Sequence, residues 1–296
     1  MAIPANIAGG MNLKRMMSRA IFLCGLCCLW VASLNGQPFI DLASAGFLQW
    51  HEPEEGNLNT TRLNSHLAMP VKLNKDVLVV GSAFEQYNFN AGQSVYGLSL
   101  PLAYVRTVNE KWKITGSLIP RISSDFENIS SDDYQLGAAL LLSRKRSETL
   151  TLKFGAFYNS EFFGFFMLPL AGIDWRVSPR LNVAGLLPRN MMVEYKWVPG
   201  KLHAGFLFRA FTNSFRTEPG QYLKVFDNQI TAFADAYLLK SLVIRLEAGH
   251  SAFRKYEAGV RDHNEKIETD LGVGDDPLFR VSISYRLRLD TPAKSP

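Results

Sequence analysis

Apolar and polar positions alternate without a break from Leu278 to Leu289. Phe279, Val281, Ile283, Tyr285, Leu287 and Leu289 fall on one side, and Arg280, Ser282, Ser284, Arg286 and Arg288 on the other. Successive side chains of a strand point to opposite faces, so this segment has one oily face and one cationic face. A strand with lipid outside and a polar lumen inside requires that pattern. The same alternation predicts strands along the rest of the chain. They run from Phe39 to Trp50, Arg62 to Val71 and Val77 to Asn88, then through Tyr96, Leu98, Leu100, Leu102 and Tyr104, and from Lys111 to Ile122. Further ones run from Tyr134 to Ser143, Leu150 to Asn159, Phe163 to Arg176, Leu181 to Leu187 and Met191 to Val198. His203 to Ser214, Tyr222 to Leu238 and Leu242 to Tyr256 lead up to the final strand.

The connections alternate too. Those after the even-numbered strands are tight turns, such as Leu73-Asn74-Lys75-Asp76 and Pro199-Gly200-Lys201. Most of those after odd-numbered strands are longer, with Phe215 to Gln221 read as a loop and Glu257 to Pro277 as the longest one. The short Pro188-Arg189-Asn190, after the ninth strand, is the exception. Short inner turns and longer outer loops are the habit of an up-and-down barrel. The predicted fold is therefore all-β: a closed antiparallel transmembrane β-barrel of about fourteen strands, with twelve as the alternative. Trp112, Trp175 and Trp197 fall at strand ends beside the short turns, where an aromatic girdle belongs.

The head of the chain supplies an address. Lys14, Arg15 and Arg19 precede the apolar run Ala20 to Val31, and Ser33-Leu34-Asn35-Gly36 follows as a small, polar stretch. That is the anatomy of a secretory signal peptide. It predicts removal of residues 1–36, a barrel over 37–290 and a tail over 291–296, with Met1 or Met11 as the start. All three cysteines, Cys24, Cys27 and Cys28, lie in the removed part. Disulfides, thiol chemistry and cysteine metal sites go with them. The expected destination is a bacterial outer membrane, with its lipid as one partner. No later apolar run approaches the roughly 18 residues of a membrane helix.

Charge narrows the function. The chain carries 32 Lys and Arg against 27 Asp and Glu. Losing Lys14, Arg15 and Arg19 leaves a net charge of about +2, which argues against a nucleic-acid partner. Lys113, Arg121, Asp227, Asp235, Arg245, Glu247, Arg280 and Arg286 fall on the polar faces of their strands and are the candidate lumen lining. Opposite charges there would brace or plug the barrel, or select a permeating solute. Glu247, His250 and Ser251 suggest a lipid hydrolase, but adjacent residues of a strand face opposite ways and Glu247 shares its face with Ser251. The acid-rich Asp262, Glu265, Glu268, Asp270, Asp275 and Asp276 lack the ordered spacing of a calcium loop and read as a solvated segment. No cofactor fingerprint, phosphate loop or metal constellation appears.

Several segments carry a family resemblance: D-W-R-V-S-P-R-L-N-V-A-G-L-L-P-R-N from Asp174, V-E-Y-K-W from Val193, F-R-A-F-T-N-S-F-R from Phe208, and F-R-V-S-I-S-Y-R-L from Phe279. The chain resembles an uncharacterised family of outer-membrane β-barrel proteins of Bacteroidetes-type bacteria, a domain of unknown function. The resemblance implies a barrel in the outer membrane and no assigned activity, so it transfers no site residues. Asp290 to Pro296 extend past the last strand, where outer-membrane proteins commonly end on an aromatic residue. Passage or uptake of a small solute is the leading expectation. A barrel lipid hydrolase and a non-enzymatic structural or adhesive surface protein are the alternatives.

Overall fold

Each alternating segment finds its neighbour in chain order, because a tight turn returns the backbone directly alongside itself. The computed structural model describes residues 38–51, 60–89, 92–127, 129–262 and 265–290; the expected signal segment and tail lie outside them. The first strands are β1 (Phe39–Trp50), β2 (Thr60–Leu73), β3 (Asp76–Phe89), β4 (Ser94–Ser99), β5 (Leu102–Thr107) and β6 (Trp112–Ser124). A short 3-10 turn, Ser131–Asp133, precedes β7 (Tyr134–Lys145), β8 (Leu150–Glu161), β9 (Gly164–Arg176), β10 (Leu181–Leu187) and β11 (Asn190–Val198). The chain ends with β12 (Leu202–Glu218), β13 (Gln221–Tyr237), β14 (Leu242–Asp262), β15 (Glu265–Asp270) and β16 (Pro277–Arg288).

Neighbours around the wall pair antiparallel, and β1 pairs with β16 from Phe39↔Arg288 to Trp50↔Leu278, which closes the sheet. β4 and β5 are one wall strand interrupted at Leu100 and Pro101. The ladder carries on across the break through Gly81 N–H to Pro101 O (2.8 Å) and Leu100 N–H to Pro120 O (2.9 Å). β15 pairs only with the far end of β14 and stands outside the wall. The result is a closed antiparallel barrel of 14 strands. Closure satisfies the backbone of the edge strands that an open sheet would leave exposed.

Side-chain parity then divides the residues. On β13, Asp227, Gln229, Thr231, Phe233 and Asp235 are buried, while Ile230 is exposed. On β16, Arg280, Ser284 and Arg286 are buried and Phe279, Val281, Ile283 and Tyr285 are exposed. Leu67, Met69, Leu118, Leu140, Phe154, Met167, Phe206 and Leu246 continue the apolar exterior around the wall. An exposed apolar surface of this extent exceeds what soluble monomers usually carry.

Two expected loops are strand. Phe215 to Gln221 is no loop, because β12 runs to Glu218 and β13 begins at Gln221, with Pro219 and Gly220 turning between them. Gly220 sits at φ +77°, a backbone that side-chain-bearing residues rarely adopt. Glu257 to Pro277 is not the longest loop either: β14 continues to Asp262 and folds back as β15. Polar alternation there reads as loop in a sequence, yet pairing needs only partners. Lys224 Nζ reaches Glu257 at 2.7 Å and Lys255 Nζ reaches it at 2.6 Å, tying β13, β14 and the hairpin together.

This hairpin extends past His250↔Pro277, where β14 leaves β16, and β15 takes over as its partner. Burial opposes ionisation of Glu257, but hydrogen bonds from Lys224 and Lys255 outweigh it and hold the carboxyl below its usual range. A lowered folded value stabilises the hairpin above the ordinary carboxylate range, and that contribution is lost as pH falls through the lowered value. Amide protection in the β14–β15 hairpin is therefore expected to persist at neutral pH and to fall only as pH drops below the ordinary carboxylate range, with the wall unaffected. Crowding in the wall gives a second expectation. A Cβ on Gly205 would lie 1.8 Å from the Val193 carbonyl oxygen. Gly205→Ala must push β12 off β11, and the variant is expected to lose the heat-modifiable gel mobility of a folded barrel.

Candidate functional site

The lumen is filled in three tiers, each built from the inward positions of several strands. At the end near the tight turns lies an ionic tier. Asp235 of β13 receives Arg245 Nε at 2.6 Å and Arg286 at 2.6 Å, and Arg286 Nε also reaches Asp41 of β1 at 2.6 Å. Alongside, Glu194 accepts from Arg288 at 2.5 and 2.9 Å, and its Oε1 lies 2.9 Å from His203 Nδ1. Asp290 pairs with Lys196 and with Arg288. The Phe39 ring lies under this group, with the Arg286 guanidinium 3.6 Å from its centroid. Multiple partners per ion matter here, since an isolated buried charge costs several kcal/mol.

The middle tier holds Glu247, clasped by both guanidinium nitrogens of Arg209 at 2.6 and 2.8 Å and approached by Arg280 at 3.4 Å. Arg280 also donates to Gln229 at 2.7 Å. Beside this group opens a cavity of about 610 Å³. Arg62, Arg121, Arg189, Arg209 and Glu85 line it together with Phe157, Phe166 and Phe211. Arg62 pairs with Glu85 at 2.7 Å and Arg121 with Glu161 at 2.7 Å.

The third tier, at the opposite mouth, is apolar. Trp50, Tyr87, Phe215, Val225, Tyr256 and Leu278 form one buried cluster there. Trp50 stacks on Tyr87, and Tyr87 meets Phe215 edge-on at 5.5 Å. Arg254 lies over the Trp50 ring at 4.5 Å and the Tyr256 ring at 4.8 Å. Trp50 Nε1 donates to Ser251 Oγ at 2.8 Å.

The residues singled out in the sequence therefore fall into separate groups. Arg245, Asp235 and Arg286 meet in one cluster, and Glu247 and Arg280 in another. Arg121 lies apart with Glu161, Asp227 accepts from Gln229 Nε2 at 2.7 Å, and Lys113 sits at the turn end of β6 beside Trp112. Trp175 and Trp197 are 42% and 64% exposed at the turn ends of β9 and β11, and Trp112 is half-buried. Ser251 and His250 are not brought together. Ser251 is buried under Trp50, while the His250 ring lies against the Ser251 carbonyl oxygen at 2.5 Å. Of the acid-rich segment, Asp276 pairs with Arg254, Glu268 accepts from Tyr222, and the side chains of Asp262 and Glu265 lie outside the described ones. Among the described residues no group of His, Cys, Asp or Glu could hold a metal ion.

Sequence reasoning missed Arg209, Glu161, Glu194 and Arg189. Arg209 shares parity with Leu207 and Phe211, so alternation carried its signal; Arg189 lies in a turn, where parity has no meaning.

The family described as "Domain of unknown function (DUF6268)" matches residues 85–286, more than half of the chain. The chain belongs to it. No curated protein matches the sequence. This DUF6268 barrel is similar to the solved NanC porin at 9% identity and TM-score 0.40, covering 82% of this chain and 98% of that one. It is also similar to the KdgM porin, at 9% identity and TM-score 0.37 with the same coverage. The Pseudomonas putida toluene transporter TodX aligns at 9% identity and TM-score 0.33, over 87% and 93% of the two chains. Likeness at this level carries no argument about function.

The ionic tier makes a quantitative demand. Asp235→Ala leaves Arg245 facing no carboxylate and Arg286 with Asp41 alone. The expected loss is about 3–5 kcal/mol of unfolding free energy in detergent-solubilised barrel, read from urea titration. Arg106→Ala, at an exposed position, is expected to change it by less than about 0.5 kcal/mol.

Proposed function

We propose that this DUF6268 protein sits in the outer membrane of a Gram-negative bacterium and passes a small solute through its lumen. One observation carries the reading: a closed wall, oily outside, encloses a cavity of about 610 Å³ lined by arginines, carboxylates and phenyl rings. That volume falls within the 300–1,000 Å³ typical of small-molecule sites. The exported head of the chain and the apolar belt both support the location. The lumen is no wide water-filled pore. Its ionic tier closes one end and its aromatic cluster the other, so passage requires one closure to yield.

The aromatic closure is the one expected to move. Its ring-to-ring contacts are dispersive, with the hydrogen bond from Trp50 Nε1 to Ser251 Oγ added, whereas the ions of the other tier are fixed by charge-assisted hydrogen bonds. In planar bilayers the refolded protein is expected to show rare, small conductance steps. Trp50→Ala with Tyr87→Ala should raise their frequency at least tenfold without altering heat-modifiable mobility. If protein and variant both fold and both stay silent, and neither vesicle preparation swells in arabinose, solute passage is wrong.

A further inference from the structure

The wall is low at one place. β10 and β11 are 7 and 9 residues long, between β9 of 13 and β12 of 17. Pairing of β9 with β10 stops at Ala171↔Leu187, so Gly164 to Leu170 are paired with β8 alone. Pairing of β11 with β12 stops at Asn190↔Arg209, with Ala210 N–H to Arg189 O (2.8 Å) as the last link. Above that tip β12 leans across. Ser214 donates from its backbone and its hydroxyl to Glu161, at 2.9 and 2.6 Å, and Arg216 bridges to Ser124 of β6. The hairpin tip, β9, β12 and the Ser214–Glu161 contact thus frame a window.

Its height decides what it faces. On β9 the exposed Phe165 and Met167 lie above the tip, 75% and 54% exposed, so the oily exterior continues past it. Six residues of tilted strand between Phe165 and Ala171 span about 15 Å. Two unpaired strand edges at the level of lipid are expensive unless they line a cavity that satisfies them. The 610 Å³ cavity is that space, since Phe166, Leu168, Arg189, Ala210 and Thr212 line it from the frame itself.

Charge indicates the occupant. Four arginines line the cavity, and Arg62, Arg121 and Arg209 each hold a carboxylate at 2.6 to 2.7 Å. Arg189, exposed on the hairpin tip, has none among the described residues; its guanidinium rests 4.5 Å from the Phe157 ring centroid. A guanidinium against a ring presents its fork to a planar anion, and the phenyl rings around it favour an apolar body. We propose that the window is a lateral path between lumen and bilayer for amphipathic monocarboxylates, with Arg189 holding the carboxylate and Phe157 and Phe166 the apolar part. This rests on the reading of the protein as a solute-passing barrel.

The test uses the full chain refolded in lipid nanodiscs, with pyrenebutyrate as the probe. Saturable binding is expected. Arg189→Gln should weaken it about tenfold, the loss of one charge-assisted contact, and Arg189→Lys should restore part of it. Binding of the uncharged pyrenebutyrate methyl ester should not respond to either substitution. Lipids with brominated acyl chains should quench the bound probe, since the window opens onto them. Equal affinity of the protein and folded Arg189→Gln for pyrenebutyrate overturns the carboxylate site, and absence of bromine quenching overturns the lateral path. Swelling of vesicles in arabinose separates the two readings. Swelling with no Arg189-dependent binding leaves passage standing and sinks this inference; Arg189-dependent binding without swelling keeps the carboxylate site and sinks passage through the lumen.

Discussion

Closing the sheet between its first and last strands is the constraint on which this structure depends. The β1–β16 seam joins residues almost the whole chain apart and carries the same alternation as every other pair. An open sheet would leave a row of unpaired N–H and C=O groups on each edge strand, and bringing the ladder full circle pairs them. Side-chain parity then follows without further instruction: one face of every strand belongs to the exterior and the other to the lumen. The Arg286–Asp41 pair crosses that seam, so the same residues that close the sheet also anchor the ionic tier.

A closed wall of this size has an interior that must be filled or wetted. The chain fills it with two kinds of material. Charged residues gather at one end in two groups, around Asp235 and around Glu194, and these two carboxylates each share several partners, which offsets the desolvation an isolated pair would suffer. Aromatic residues gather at the other. The cavity is what remains between them. It is bounded by paired arginines and by Arg189, which has no carboxylate partner among the described residues.

Most of the wall was legible in the residues. Strict alternation located nearly every strand and gave a count of about fourteen, with which the alternation of turn lengths agreed. The sequence pattern also marked Asp235, Arg245, Glu247, Arg280 and Arg286 as inward, because parity is local. Three features were not legible. Phe215 to Glu218 and Glu257 to Asp262 are strand only because a long partner lies beside them, and pairing is non-local. Which acid meets which base depends on barrel register and on contacts across the lumen, such as Arg209 with Glu247. The short connection at Pro188-Arg189-Asn190 stood out as an irregular turn length; its meaning needed the heights of β9 and β12 on either side.

The two fillings give the barrel a polarity. On the proposed path a molecule entering past Trp50, Tyr87 and Phe215 meets mainly aromatic surface, with Arg254 and Asp276 among it, before the larger charged groups. From the other mouth the order is reversed, and the paired charges of Arg286, Asp235 and Glu194 come first. Ionic strength and temperature act differently on the two barriers, since salt screens ions while warming strengthens apolar contacts near room temperature. The proposed path thus crosses two barriers of different chemistry, one that answers to salt and one that answers to temperature.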